Sequence, residues 1–322
     1  MKNYIFGFLL IMFAVAGCLA QNAPANLPAG AVKIEAQSDK GFAYPYYLYV
    51  PPELREAKEQ KTTHTIIVLP NNTGKIDDAF EVHEADVKRR LPQAVQIAAM
   101  LKVAVLMPVF PRPKSDWRIY THALDRDALT TDKKEYARYD LQLVRMIDDA
   151  RARLKKEKLK FDRRVLINGF SASGMFANRF AFLHPTRVKA AVIGSPGGWA
   201  IAPAEKYKEK ALRYPIGTSD FKAVSGKKLD IENLRKVPMF IFLGDEDDND
   251  SVVFGDSYEE TDKNLIFEIF GKTPVERWET SKNLYQESKL NATFKLYPKV
   301  GHTVNGEMRG DILAFFTRHA RQ

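Results

Sequence analysis

The chain is almost without cysteine: Cys18 is the only one in 322 residues. A disulfide framework is therefore excluded, whatever compartment the protein occupies. Beyond the first twenty residues no apolar run is long enough to suggest a membrane span. Internal repeats and low-complexity tracts are absent too, which sets aside repeat architectures. Nor are the basic residues gathered into one motif. The net charge is +9, but Lys and Arg are interleaved with Asp and Glu. The densest patch, residues 155–160, falls where a helix should end, and cations are favourable there. Nothing in this distribution points to a nucleic-acid partner. Charged residues of both signs make up 28%, which argues against disorder. Hydrophobic residues make up 45%, enough for one large core.

What is present begins with a targeting segment. Lys2 gives a short positive region, and residues 5–15 are apolar with only Gly7 interrupting. These are signal-peptide proportions. Two processing sites are readable. Cys18-Leu19-Ala20 places small residues before Gln21, while Val15-Ala16-Gly17-Cys18 has the form of a bacterial lipobox, in which Cys18 becomes the lipidated N-terminus. The expectation is an exported protein, secreted, periplasmic or lipid-anchored to the envelope through Cys18. Residues 1–20 form the signal, 21–30 a tether and 31–322 one domain.

Within that domain, residues 32–36 and 42–50 alternate and suit an antiparallel strand pair. An apolar run at 63–69 suits a strand covered on both faces, 103–109 reads as the next buried strand, and further strands are expected at 164–168, 188–193, 239–243 and 293–296. Helical spacing marks 84–102, 135–154, 172–183, 276–289 and 309–320. Strands alternating with helices imply an α/β fold: a mostly parallel sheet with helices on both faces. A polar loop is expected at 111–131. Residues 199–236 break the alternation and contain Pro203, Pro215 and Gly217. They are expected to form an inserted lid or pocket wall.

The strongest chemical signal is Gly169-Phe170-Ser171-Ala172-Ser173-Gly174, between an apolar strand and an apolar helix. A tight strand-to-helix turn that exposes a serine needs small flanking residues. Gly169 meets that on one side. Ser173 stands where a second glycine is usual, with Gly174 next. Serine needs an adjacent base to be reactive at neutral pH. His302, in Gly301-His302-Thr303 after the last strand, is placed for that role. The acid follows the strand at 239–243. The spacing Gly244-x-x-Asp points to Asp247, with Asp245, Asp248 and Asp250 as rivals. This acidic loop does not fit a calcium-binding EF-hand, which needs Gly at the Asp250 position and Glu at the Asp256 position. No metal is expected. Two backbone donors should face the oxyanion of a tetrahedral intermediate. One is the N–H of Ala172; the other comes from Asn71 or Asn72. His122, Phe170 and Trp199 are candidate substrate contacts, although aromatic residues such as the last two equally suit a core.

With Ser171, Asp247 and His302 in that order, each at a strand end, the chain resembles the α/β-hydrolase superfamily. It looks closest to secreted esterase-like members, in the neighbourhood of poly(hydroxybutyrate) depolymerases, feruloyl and acetylxylan esterases and dienelactone hydrolases. The resemblance implies a Ser-His-Asp mechanism on a small-molecule or polymer ester, with an acyl-enzyme and no cofactor. It says little about substrate, because this scaffold hosts many chemistries. A peptidase or amidase on the same fold, and a catalytically inactive envelope binding lipoprotein, remain as alternatives.

Overall fold

The computed structural model describes residues 27–56 and 62–320. The expected signal, Cys18 and the tether as far as residue 26 lie outside them. Strands β1 (Ala31–Ile34) and β2 (Tyr46–Tyr49) are followed by the short helix α1 (Pro52–Glu56) and by β3 (Ile66–Val68). Helix α2 (Phe80–Leu101) leads into β4 (Ala104–Pro108), then α3 (Arg126–Thr130) and α4 (Tyr139–Lys156). Strand β5 (Val165–Phe170), α5 (Ala172–Leu183) and β6 (Val188–Gly194) form the centre. A two-stranded ribbon, β7 (Lys206–Tyr207) and β8 (Lys210–Ala211), precedes α6 (Phe221–Ser225) and α7 (Ile231–Leu234). Strand β9 (Met239–Gly244), helices α8 (Glu260–Ile269) and α9 (Pro274–Glu287), β10 (Ala292–Tyr297) and α10 (Gly306–Ala320) complete the order.

Eight strands make one sheet in the order β1-β2-β4-β3-β5-β6-β9-β10. The β1–β2 and β2–β4 pairs are antiparallel, with Ala31 opposite Tyr49 and Tyr46 opposite Pro108. The remaining pairs are parallel. Strand side chains alternate between two cores, as the pleat requires. Val165 and Ile167 join Leu143, Met146, Phe176 and Phe180 on the α4–α5 face. Leu166 joins Val87, Leu91, Ala98 and Phe316 on the α2–α10 face. Both faces of the central strands are thus dry, which is why their sequences read as unbroken apolar runs. No helix among the described residues is long and apolar enough to cross a membrane.

Two expectations about the segments between these elements change. The polar loop at 111–131 contains α3, capped by the Asp125 carboxylate, which accepts from the Ala128 N–H at 2.9 Å. Residues 199–236 are packed inward: Trp199, Ile201, Leu212, Tyr214, Ile216 and Phe221 are buried. The segment forms part of the wall around α5, and nothing in its packing distinguishes a lid.

Candidate active site

The turn between β5 and α5 is held by backbone contacts that tolerate almost no side-chain volume. Ser171 adopts φ 59°, ψ −128°, a conformation that costs a non-glycine residue on the order of 1–3 kcal/mol. Surrounding bonds hold it there. Its N–H donates to the Gly194 carbonyl at 3.0 Å, and its carbonyl accepts from the Met175 N–H at 3.0 Å. A Cβ on Gly169 would lie 1.8 Å from the Ser173 carbonyl oxygen, and one on Gly174 would lie 2.4 Å from that of Gly194. Ser173 fits where a glycine is usual because its hydroxyl folds onto the turn. It donates to the Phe170 carbonyl at 2.9 Å and accepts from the Phe170 N–H at 3.0 Å. On this side of the serine the position that excludes a side chain is therefore Gly174, one residue later.

Parallel pairing of β9 with β6 and β10 brings the other two groups to the same sheet end. His302 Nδ1 lies 3.0 Å from both carboxylate oxygens of Asp247. The Asp247 side chain is fully buried and that of His302 is 23% exposed. Burial alone would raise the Asp247 carboxyl. The hydrogen bond and charge of His302, together with the Asn249 N–H, offset it, and the group is held below the usual carboxylate range. The Ser195 hydroxyl, buried and without a well-formed hydrogen bond, pulls in the same direction. The rival acids are engaged elsewhere or exposed. Asp245 accepts from the Lys299 N–H at 2.6 Å, and Asp248 is exposed. Asp250 forms a buried two-point pair with Arg277, at 2.9 and 2.7 Å. Among the described residues no group of acids and histidines is arranged to hold a metal ion.

His302 approaches the serine turn through Phe170, whose ring centroid lies 4.7 Å from that of the imidazole. The Ser171 hydroxyl makes no hydrogen bond to His302. Ala172 is the first residue of α5, so its N–H has no acceptor within the helix and is free to face an oxyanion. Across the turn, the Asn72 side chain donates to the Phe170 carbonyl at 3.2 Å, placing the 71–72 backbone beside Ser171. The Asn71 side chain is spent on structure. Its amide donates to the Phe110 carbonyl at 2.8 Å and its oxygen accepts from the Phe110 N–H at 3.0 Å. Any contribution of Asn71 or Asn72 to an oxyanion site comes from backbone N–H.

Two expected substrate contacts are corrected. His122 is 1% exposed. Its Nε2–H donates to the Phe110 carbonyl at 2.7 Å, beside Asn71, and burial lowers its pKa to about 3. It is a neutral core histidine that fixes the loop carrying Asn71. Trp199 is 2% exposed, bonds the Ile216 carbonyl through its indole N–H at 2.9 Å and stacks on Phe270 at 4.1 Å. It belongs to the wall, because its apolar surface and its one donor are already satisfied. Phe170 is half-buried and remains beside the imidazole. Ser195 carries no signal in the sequence alone. The Gly194-Ser195-Pro196 turn gains meaning only once β6 is known to neighbour β9.

The fold is that of the α/β-hydrolases. The chain matches no protein-family model and no curated protein; its likeness is to solved structures. One is poly(aspartic acid) hydrolase-1 from Sphingomonas sp. KT-1, at 21% identity and TM-score 0.57, with 89% of this chain and 98% of that one covered. Another is a poly(3-hydroxybutyrate) depolymerase from Bordetella parapertussis, at 16% identity and TM-score 0.52, covering 89% and 88%. A fluorophosphonate-binding serine hydrolase from Staphylococcus aureus aligns at 13% identity and TM-score 0.50, covering 89% and 98%.

Proposed function

We propose that this chain is a serine hydrolase acting on carboxylic esters outside the cytoplasm. The observation that carries the reading is the two-oxygen contact of Asp247 with His302 Nδ1, 3.0 Å each, at the sheet end that also bears the strained Ser171 turn. The names of the structural neighbours, an ester depolymerase and a serine hydrolase among them, agree with it.

In the proposed reaction His302 Nε2 takes the Ser171 proton as Oγ adds to the ester carbonyl carbon. The oxyanion faces the N–H of Ala172 and one from Asn71 or Asn72. Collapse breaks the bond to the alcohol oxygen, and His302 returns the proton to that leaving group. Water, deprotonated by His302, then attacks the acyl-Ser171 ester; the acyl–Oγ bond breaks, His302 returns the proton to Ser171 Oγ, and the acid leaves. Asp247 holds the imidazole in one tautomer and stabilises its charged form. Each step uses only this chain's side chains and backbone. Phe170 borders the reacting acyl group.

Amide hydrolysis is the second reading. It is favoured by the likeness to poly(aspartic acid) hydrolase-1 and by the net charge of +9, which would attract a polyanionic chain. Turnover of short p-nitrophenyl esters, set against aminoacyl p-nitroanilides and poly(aspartic acid), separates the two. Ester turnover lost in Ser171→Ala supports the first reading; cleavage of amides alone would replace it. Export and anchoring through Cys18 are proposed from the N-terminal sequence. Palmitate incorporation that disappears in Cys18→Ser is the expected result.

A further inference from the structure

Between α2 and α10, on the sheet face opposite α4 and α5, runs a groove of about 700 Å³. That volume suits a small-molecule ligand. Its distal walls are Ile97, Leu101, Leu313 and Phe316, and Met100, 58% exposed, lies at its lip. The groove is lined by two arginines, Arg90 and Arg309, and by no carboxylate. Both arginines lie toward the serine turn. Arg90 donates to the Asn72 carbonyl at 2.6 Å, and Arg309 is in the first turn of α10, just after the His302 loop. Arg309 is exposed and has no ion-pair partner among the described residues. From Arg90 to Leu101 the α2 wall rises about 16 Å. The floor holds a second sign of an occupied space. Asn168 sits mid-strand in β5, on the face where Leu166 is buried core, yet it is polar and opens into the groove. A closed core would place a hydrophobe there.

We infer that this groove binds a single-chain aliphatic carboxylate, its head between Arg309 and Arg90 and its alkyl chain against Ile97, Leu101, Leu313 and Phe316. A trough that is largely apolar, with the uncharged Gln93 and Gln96 on its α2 side, cationic at one end and lined by no acid, complements an anion-headed chain and disfavours a cation-headed one. Arg90 is already engaged by Asp86 at 3.0 Å and by Asn72, so the unpaired Arg309 supplies most of the charge. The inference does not rest on the hydrolase reading, because no bond is broken in it.

Calorimetric titration of the full chain with dodecanoate, below its micellar range, tests it. The expected result is saturable one-to-one binding, with octanoate roughly two hundredfold weaker for its four missing methylenes. Dodecyltrimethylammonium should bind at least tenfold more weakly than dodecanoate. A Cβ on Gly310 would meet nothing within 4 Å, so Gly310→Phe should fill the groove without a backbone clash and weaken dodecanoate at least tenfold. Arg309→Glu changes an exposed residue and should weaken it comparably with the melting temperature unchanged. Absence of saturable binding to the wild-type chain would overturn the inference. So would equal affinity for the cationic amphiphile, or unchanged affinity in Arg309→Glu.

Discussion

Four aspartates within six positions look interchangeable in sequence, and their surroundings separate them. Asp247 accepts from His302, while Asp250 is locked to Arg277. Asp247→Asn should therefore lower ester kcat by about four orders of magnitude with little loss of stability, because the amide keeps the shape but favours the wrong imidazole tautomer. Asp250→Ala should do the reverse. It strands a buried guanidinium at a cost of about 3–5 kcal/mol, read by denaturant unfolding, while the folded fraction still turns over ester. Asp125 offers a different test. Burial pushes its carboxyl up to about 8, so the folded chain holds that proton more tightly than the unfolded chain, where the group titrates near ~4. Stability from this group is full below about pH 4 and declines as pH rises to about 8. Asp125→Asn keeps an acceptor at the α3 cap and should flatten that decline, a gain on the order of 1 kcal/mol per pH unit in unfolding free energy. The sequence around His122 suggests a loop contact because its bond to Phe110 and its place beside Asn71 arise only in the folded sheet.

At the level of elements, the buried strands and long helices were legible because each one's apolar pattern reports its own burial. One boundary moved outward: α2 starts at Phe80 and not at 84, with His83 already buried. Helix α8 was not anticipated. Its first turn is acidic, and its buried Asp262 is made acceptable by Arg213, at 2.6 Å from another segment. No local pattern reveals such a partner. The turn at Ser171 depends on α5 and β6 meeting backbone to backbone. Gly174→Ala should force them apart, costing about 1–3 kcal/mol and reducing serine reactivity together. Gly310→Ala, in open space on α10, should instead stabilise by about 0.5–1 kcal/mol. Chemical denaturation of the two variants side by side checks the contrast.

Across the whole molecule, strand order does the assembling. Sequence supplied serine, acid and histidine in succession at three strand ends; the order β5-β6-β9-β10 makes those ends neighbours. The α2–α10 groove had no counterpart in sequence, since it is a space between helices whose apolar stripes each look like ordinary core. The central claim is that Ser171 is a nucleophile activated by His302 and Asp247. Labelling of the purified, folded chain with a fluorophosphonate, followed by peptide mass mapping, tests it most directly. The account predicts one adduct per chain, on Ser171, lost in Ser171→Ala and strongly slowed in His302→Ala. Absence of an adduct on the folded wild-type chain, or its placement on Ser173 or Ser195, would contradict it.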